Sequence, residues 1–197
     1  MKKKQWIARS GPWAFAVGAL ALSAAALAEA PSAAMLSHPC AGCHGTNGAS
    51  AGPAMPSLAG QSKEAIVEAM KKFKSGERPS TIMGRLAKGY SETDFAAMGE
   101  FFAGQKLHVA QQTLDPKRVA KGASLQEANC SRCHMEDGRE GKDDSPAMAG
   151  QWLPYMQMQM ALYLSGMRKM PEKMEEKVKP LSVDDIEALL HFYASVK

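Results

Sequence analysis

Apolar positions recur every three to four residues along several stretches of this chain, and nowhere is there a sustained run of alternating polar and apolar residues. That period belongs to helices with one buried face. Over Lys63 to Ser75, Ile66, Val67, Met70 and Phe73 fall on one side, and Leu153 to Ser165 carries a similar pattern. Two further amphipathic runs, Glu92 to Ala103 and Val183 to Val196, each follow a Ser with acidic residues in the first turn, the signature of an N-capped helix. A fifth helix is predicted to open at Pro116, with Val119, Ala123, Leu125 and Ala128 as its apolar positions. The pattern predicts an all-α fold.

These elements occur in duplicate. Laid on itself with an offset of 90 residues, the chain matches His44 to His134, Pro56 to Pro146, Gly60-Gln61 to Gly150-Gln151, Gly76 to Gly166 and Arg78 to Arg168. Near the end of each half the offset becomes 91, bringing Met83 onto Met174 and Tyr90-Ser91-Glu92-Thr93-Asp94-Phe95 onto Leu181-Ser182-Val183-Asp184-Asp185-Ile186. A long period present twice indicates a duplicated domain and not a solenoid. We expect domains over 29–104 and 116–197, a linker over 105–115, and packing of the halves about a pseudo-twofold axis. Each half is small for a peptide-only core, which calls for additional apolar mass.

The first 28 residues stand apart. Lys2, Lys3, Lys4 and Arg9 precede an apolar stretch from Trp13 to Leu27, and Ala26 and Ala28 give an A-x-A-like cleavage site before Glu29. Residues 1–28 read as a secretory signal peptide, placing the mature protein in the periplasm. The alternative, an uncleaved anchor over Trp13 to Ala28, is short for a membrane span. Loss of the leader lowers Lys plus Arg from 24 to 20, equal to the 20 Asp plus Glu. The basic balance thus belongs to the leader, and neither nucleic acid nor a polybasic membrane contact is indicated.

All four cysteines fall in two pentads, Cys40-Ala41-Gly42-Cys43-His44 and Cys130-Ser131-Arg132-Cys133-His134. C-x-x-C-H is the attachment sequence of c-type haem: the thiols add to the vinyl groups and the adjoining His supplies an iron ligand. Zinc is the alternative for Cys and His ligands, but the two pairs lie much farther apart than in compact zinc modules. The pentads predict two covalent haem c groups, on Cys40 and Cys43 and on Cys130 and Cys133, with His44 and His134 as axial ligands. No cysteine remains for a disulfide or a nucleophile.

For the sixth iron position the repeat points to Met83 and Met174, each read as lying in a loop before a capped helix. A thioether opposite His favours ferrous iron and closes the site to substrates. Met170 is the main competitor for the second iron and Met167 a weaker one, while Met70, Met98, Met156, Met158 and Met160 read as helix packing. His38, His108 and His191 have no partners at the repeat offset, so bis-His ligation is not indicated; they read as beside the first haem edge, in the linker and on a packed helix face. Pro56 and Pro146 are candidates to orient the proximal imidazoles through their carbonyls, or simply to shape loops. Arg78 and Arg168 are candidates for haem propionates or for solvated surface charges.

The order of pentad, loop Pro, Gly-Gln, helix, Met and Ser-capped helix, twice over, resembles the two-domain dihaem cytochromes c. Ser80-Thr81-Ile82-Met83-Gly84-Arg85-Leu86-Ala87-Lys88-Gly89-Tyr90, Ala149-Gly150-Gln151-Trp152-Leu153-Pro154-Tyr155 and Phe192-Tyr193-Ala194-Ser195 are similar to the cytochrome subunit of flavocytochrome c sulfide dehydrogenase. The resemblance implies a periplasmic heterodimer in which an FAD-containing flavoprotein subunit oxidises sulfide. This chain would then be the electron-transfer subunit, not catalytic by itself, passing electrons to a small soluble cytochrome or other acceptor. It also implies that Cys40, Cys43, His44 and Met83 serve one haem and Cys130, Cys133, His134 and Met174 the other; Pro171, beside Met170, departs from the family pattern.

The residues agree with that division of labour, since no Gly-rich dinucleotide fingerprint accompanies the pentads. The rival function is a free-standing dihaem carrier feeding a terminal oxidase. A permanent partner would cover a sizeable apolar patch, for which Trp152, Tyr155 and Met156 are candidates alongside a core role. A haem enzyme or gas sensor would need an open sixth position, which the two methionines argue against.

Overall fold

The computed structural model describes residues 30–141 and 145–197. The leader assigned to residues 1–28 lies outside them. Among the described residues no helix is long and apolar enough to cross a membrane.

In the first half, α1 (Ala33–Ser37) leads through a tight turn into α2 (Ala41–His44), and these are followed by α3 (Lys63–Ser75), α4 (Met83–Leu86) and α5 (Glu92–Ala103). The second half has α6 (Pro116–Asn129), a minimal antiparallel pair of β1 (His134–Met135) and β2 (Glu140–Gly141), then α7 (Leu153–Leu164), α8 (Glu172–Val178) and α9 (Val183–Ser195). The long helices follow the periodicity closely. Their starts have chemical causes: Ser62 accepts from the Ala65 N–H, Asp115 from Lys117, and Ser91 and Ser182 form reciprocal capping boxes with Asp94 and Asp185.

Two details differ from the sequence reading. Met83 and Met174 are not in loops: Met83 begins α4, and Met174 lies within α8, which starts directly after Pro171. Periodicity could not find helices of one or two turns, because so few residues leave no pattern to read. The β1–β2 pair is the second difference, and it closes through Glu136 and Asp137, both at positive φ, and Gly138.

The core divides by domain. Ile66, Met70, Ala87, Phe95, Met98 and Phe102 form one buried cluster; Leu153, Met156, Met170, Val178, Ile186, Leu189, Leu190, Tyr193 and Ala194 form the other. In the second half α6 crosses α9 so closely that a Cβ on Gly122 would lie 2.1 Å from the Ala188 carbonyl oxygen. Met158, read as packing, is 44% exposed, so the apolar run of α7 is wider than its buried face.

The seam between the halves is built twice over. Gln151 accepts from the Ser57 N–H (2.9 Å) and donates to the Ser57 carbonyl (3.0 Å), while Gln61 accepts from the Ala147 N–H (2.9 Å) and donates to the Ala147 carbonyl (2.8 Å). Since Gln61 and Gln151, and Ser57 and Ala147, are mates at the repeat offset, these four buried bonds are one contact and its pseudo-twofold image. The connecting segment lies against both halves. Gly60 packs against Leu107 and Gly150 against Val109, each so near that an added Cβ would lie within 3 Å of the segment's backbone. Ala110 donates to the Gly150 carbonyl at 2.8 Å, and Gln112 brackets Gln151 and Leu153. A segment read only as a polar linker is therefore stitched to both domains.

Each glutamine satisfies a buried N–H and C=O pair, so Gln61→Ala and Gln151→Ala are each expected to cost about 2 kcal/mol. Urea unfolding of the holoprotein, followed by far-UV circular dichroism, reads this directly. The double variant is expected to unfold in two resolved steps where the parent unfolds in one.

Candidate functional site

The first pentad is folded onto one turn of backbone. Cys40 ends a 3-10 turn, and α2 carries Ala41, Gly42, Cys43 and His44, which places the two thiols and the imidazole on adjacent positions of a single short coil. Cys40 packs against the first core cluster, Cys43 is exposed, and both are unpaired thiols. His44 is buried, and its Nδ1 lies 2.8 Å from the Pro56 carbonyl oxygen. A carbonyl can only accept, so Nδ1 carries the proton and Nε2 keeps its lone pair. Burial depresses the His44 pKa, offset in part by that bond, which favours the neutral imidazole a metal requires.

The second pentad caps α6. The N–H groups of Cys133 and His134 both donate to the Cys130 carbonyl, at 3.1 and 3.0 Å. Gln126, almost wholly buried in α6, donates from Nε2 to the His134 carbonyl (2.7 Å), and its Oε1 accepts from the Tyr193 hydroxyl. His134 meets the Tyr193 ring edge-on at 6.0 Å. Its Nδ1 is buried with no hydrogen-bond partner among the described residues, and burial lowers its pKa. Pro146 is thus not the acceptor that Pro56 is. Desolvation raises the thiol pKa of Cys130 and, strongly, the hydroxyl pKa of Tyr193.

Met83 is half-buried against the first cluster, the one Cys40 borders; Met174 is half-buried against the second, which Cys130 borders. Met83 lies four residues before fully buried Ala87, and Met174 four before buried Val178. Met170, by contrast, is 8% exposed within the second cluster and has no counterpart in the first half. The remaining histidines are elsewhere: His38 is exposed against Phe101, His108 is in the connecting strand, and His191 is buried on α9, accepting the Asp115 N–H through Nδ1.

Trp152, Tyr155 and Met156 do not form an outward patch. The Trp152 indole donates to the Ser50 carbonyl of the other half (3.1 Å), the Tyr155 hydroxyl meets Arg78, and Met156 is core. Sequence reasoning missed Gln126 and Tyr193. Their signal was the repeat itself, since the matching positions of the first half hold Leu36 and Phe102 and so mark a polar exchange inside one domain.

These residues fit a haem in each half. Two free thiols stand beside an imidazole whose outer nitrogen is committed to a carbonyl in the first half and buried in the second, and a thioether borders each thiol's apolar cluster. Among the described residues no three His, Cys, Asp or Glu side chains gather as a ligand set, which leaves the zinc alternative without one. Haem iron, once bound, supplies one-electron exchange between its ferric and ferrous states. Fold and site together define a tandem c-type haem protein built for electron transfer.

The chain belongs to the cytochrome c family, with the two-domain, dihaem organisation of cytochrome c4. Residues 30–111 match the family model described as cytochrome c, and residues 117–192 the one described as cytochrome c oxidase, cbb3-type, subunit III. Cytochrome c4 of Pseudomonas aeruginosa is 31% identical over 138 residues, covering 66% of this chain and 68% of that protein. The cytochrome subunit of sulfide dehydrogenase of Chlorobaculum tepidum is 48% identical over 68 residues, covering 34% of this chain and 61% of that protein. The crystal structure of reduced cytochrome c4 from Pseudomonas stutzeri superposes with a TM-score of 0.71 at 26% identity, covering 81% of this chain and 94% of that one. The protein carries two covalent haem c groups, one in each half.

Tyr193→Phe leaves Gln126 Oε1 buried without its donor and is expected to cost about 1–3 kcal/mol. Adding Gln126→Leu, which restores the residue pair of the first half, is expected to cost clearly less than the sum of the single changes. Thermal unfolding of the four holoproteins completes the cycle.

Proposed function

We propose that this chain is the periplasmic, electron-accepting subunit of a flavin-dependent sulfide dehydrogenase. The observation that carries the reading is its 48% identity, across a domain's length, to the cytochrome subunit of such an enzyme. In this reading hydrosulfide loses a proton and two electrons on an FAD-containing partner, leaving zero-valent sulfur. The two electrons pass one at a time to this chain, whose two halves can hold one each, and leave for a small soluble cytochrome or comparable acceptor.

The chain's own residues set the conditions for that traffic. Cys40 and Cys43, and Cys130 and Cys133, would anchor the haems and His44 and His134 would each give a nitrogen to the iron, with Pro56 fixing the tautomer of His44. Met83 and Met174 would supply the thioether ligands, a reading supported by their matching positions relative to Ala87 and Val178 and to the cysteine-bordered clusters. Met170 is packing. Residues 1–28, 29–104, 105–115 and 116–197 are leader, first domain, linker and second domain in this scheme.

The second reading, a free-standing dihaem carrier, is favoured by the match to cytochrome c4 across both halves. Gentle purification from the native source separates the two. Copurification of a flavoprotein, with rapid reduction of both haems by sulfide, is expected; a flavin-free cytochrome reduced only slowly, under conditions that keep such complexes intact, overturns the proposal.

Met83→Leu and Met174→Leu are each expected to remove about half of the ferric sulfur-to-iron absorption band and to lower one midpoint potential. Met170→Leu is expected to retain the whole band. Optical redox titration of the three variants checks the assignment.

A further inference from the structure

Residues 30–62 contain no Lys, Arg, Asp or Glu, although charged residues make up 22% of the chain. The matching stretch of the second half, residues 120–152, holds ten, among them Arg132, Glu136, Asp137, Arg139 and Glu140. The charge-free stretch is not hidden in the core. Cys43, Thr46 and Asn47 are exposed in and after the pentad, and so are Pro53, Ala54 and Met55 in the loop that returns to His44. That loop is pinned at its base, where the Ser50 N–H donates to the Ser57 hydroxyl at 3.2 Å and the Pro56 carbonyl accepts from His44. The same exchange recurs on a second, separate element. Ile82, the N-cap of α4, and Leu86 within it are 47% and 51% exposed. Their mates at the offset of 91 are Lys173 and Lys177, both exposed on α8. On both elements read as carrying iron ligands, the first half thus exposes uncharged side chains where the second half exposes charge.

Charge on an electron-transfer surface speeds encounter with a partner of opposite sign and leaves the complex easy to dissociate. A partner that stays bound has no use for it, because every ion buried without a mate costs desolvation energy. The centre of a lasting interface is accordingly depleted of charge and bordered by a polar rim. Arg85 and Lys88, exposed on α4 and just after it, supply such a rim beside Ile82 and Leu86. A surface without charge is complementary only to a partner surface that is also free of unpaired ions, and left bare it favours association. The pinned loop adds to this, since a surface already held in one arrangement loses little freedom on binding. Trp152, Tyr155 and Met156 are taken up by the seam and the core, so they compete with neither element for this role.

We propose that the pentad loop and α4 of the first half form the docking face for the FAD-containing partner, which meets them with an uncharged surface and stays bound. The inference rests on the sulfide dehydrogenase reading and adds to it the half that the flavoprotein covers. Electrons then leave the reduced flavin one at a time, its protons going to solvent, and enter the ferric first half. They pass on to the second half, whose charged surface suits an acceptor that comes and goes.

The test uses the complex purified gently from the native source, with variants of this chain produced there in place of the parent. Ala54→Asp and Leu86→Lys give the first half the charges that Asp144 and Lys177 provide at the matching positions of the second. Each is expected to keep both haems, read as Soret absorbance per chain. Each is also expected to weaken flavoprotein binding by about a hundredfold or more, the effect of burying an unpaired charge, read as flavin per haem over a dilution series. Lys173→Ile with Lys177→Leu is expected to keep the full flavin complement, and the parent complex to hold together as salt is raised. Amide hydrogen exchange of the parent supplies a reading without substitution: residues 41–55 should be slowed in the complex relative to the free cytochrome, and residues 131–140 should not. First-half variants that retain their flavin, a second-half variant that loses it, or protection confined to residues 131–140 overturns the inference and leaves the sulfide reading in place. A parent that carries no flavoprotein overturns both. Light scattering reports the other occupant: a flavin-free parent dimer that Ala54→Asp and Leu86→Lys turn into monomers assigns the face to a second copy of this chain and likewise overturns the inference.

Discussion

Each half of this chain has to close around a flat apolar cofactor with little peptide of its own, and that constraint shapes nearly everything else. The first core is essentially Ile66, Met70, Ala87, Phe95, Met98 and Phe102, drawn from α3, α5 and the turn after α4. A core of that size contributes too little by itself to offset the entropy of ordering its domain. Covalent attachment at Cys40 and Cys43, and at Cys130 and Cys133, makes the cofactor a permanent member of the core, so its apolar faces count toward stability without a binding equilibrium to maintain. The remaining demand is that the imidazole be aimed. In the first half the His44 to Pro56 bond does this; in the second, the backbone of His134 is held by Gln126, itself held by Tyr193.

A second consequence is the character of the seam. Two small domains on a flexible tether would let the haem-to-haem distance wander, and electron exchange falls off steeply with distance. The buried Gln61 and Gln151 bonds, the bond from Trp152 to Ser50, and the connecting strand pressed against Gly60 and Gly150 instead fix one arrangement. These contacts are polar and directional, and they fail entirely if the halves shift by an ångström or two. That geometry explains why a Gly-Gln pair appears at matching places in both halves: the glycine admits the strand and the glutamine locks the neighbouring loop.

The sequence made legible whatever depends on local chemistry or on the repeat. The pentads, the long helices Lys63–Ser75 and Glu92–Ala103, and the duplication could all be read because each leaves a pattern in spacing or period. Interactions across the seam left no such pattern. Trp152 and Tyr155 read equally well as an outward patch, since nothing in their spacing says that Ser50 and Arg78 lie opposite. The short helices that carry Met83 and Met174 read as loops because one or two turns leave no periodicity, and Pro171, a departure from the family pattern, stands as the N-cap of α8. The equivalence of Pro56 and Pro146 was legible in the alignment of the halves, but not the difference in what their carbonyls accept.

Duplication also explains why the two sites need not behave alike. Gln126 and Tyr193 stand where the first half has Leu36 and Phe102, so the second half buries an amide and a hydroxyl beside its pentad where the first has two apolar side chains. A polar wall solvates the more highly charged ferric state better than an apolar one, whereas depriving the proximal imidazole of a carbonyl partner makes it a poorer donor to ferric iron. These two effects act in opposite directions on the second site. At the seam the halves stay tied to each other, for Arg78 and Arg168 converge on one Gln159 oxygen. A tandem carrier thereby gains a means of setting its two potentials apart through residues private to one half, while the seam keeps the halves in one arrangement.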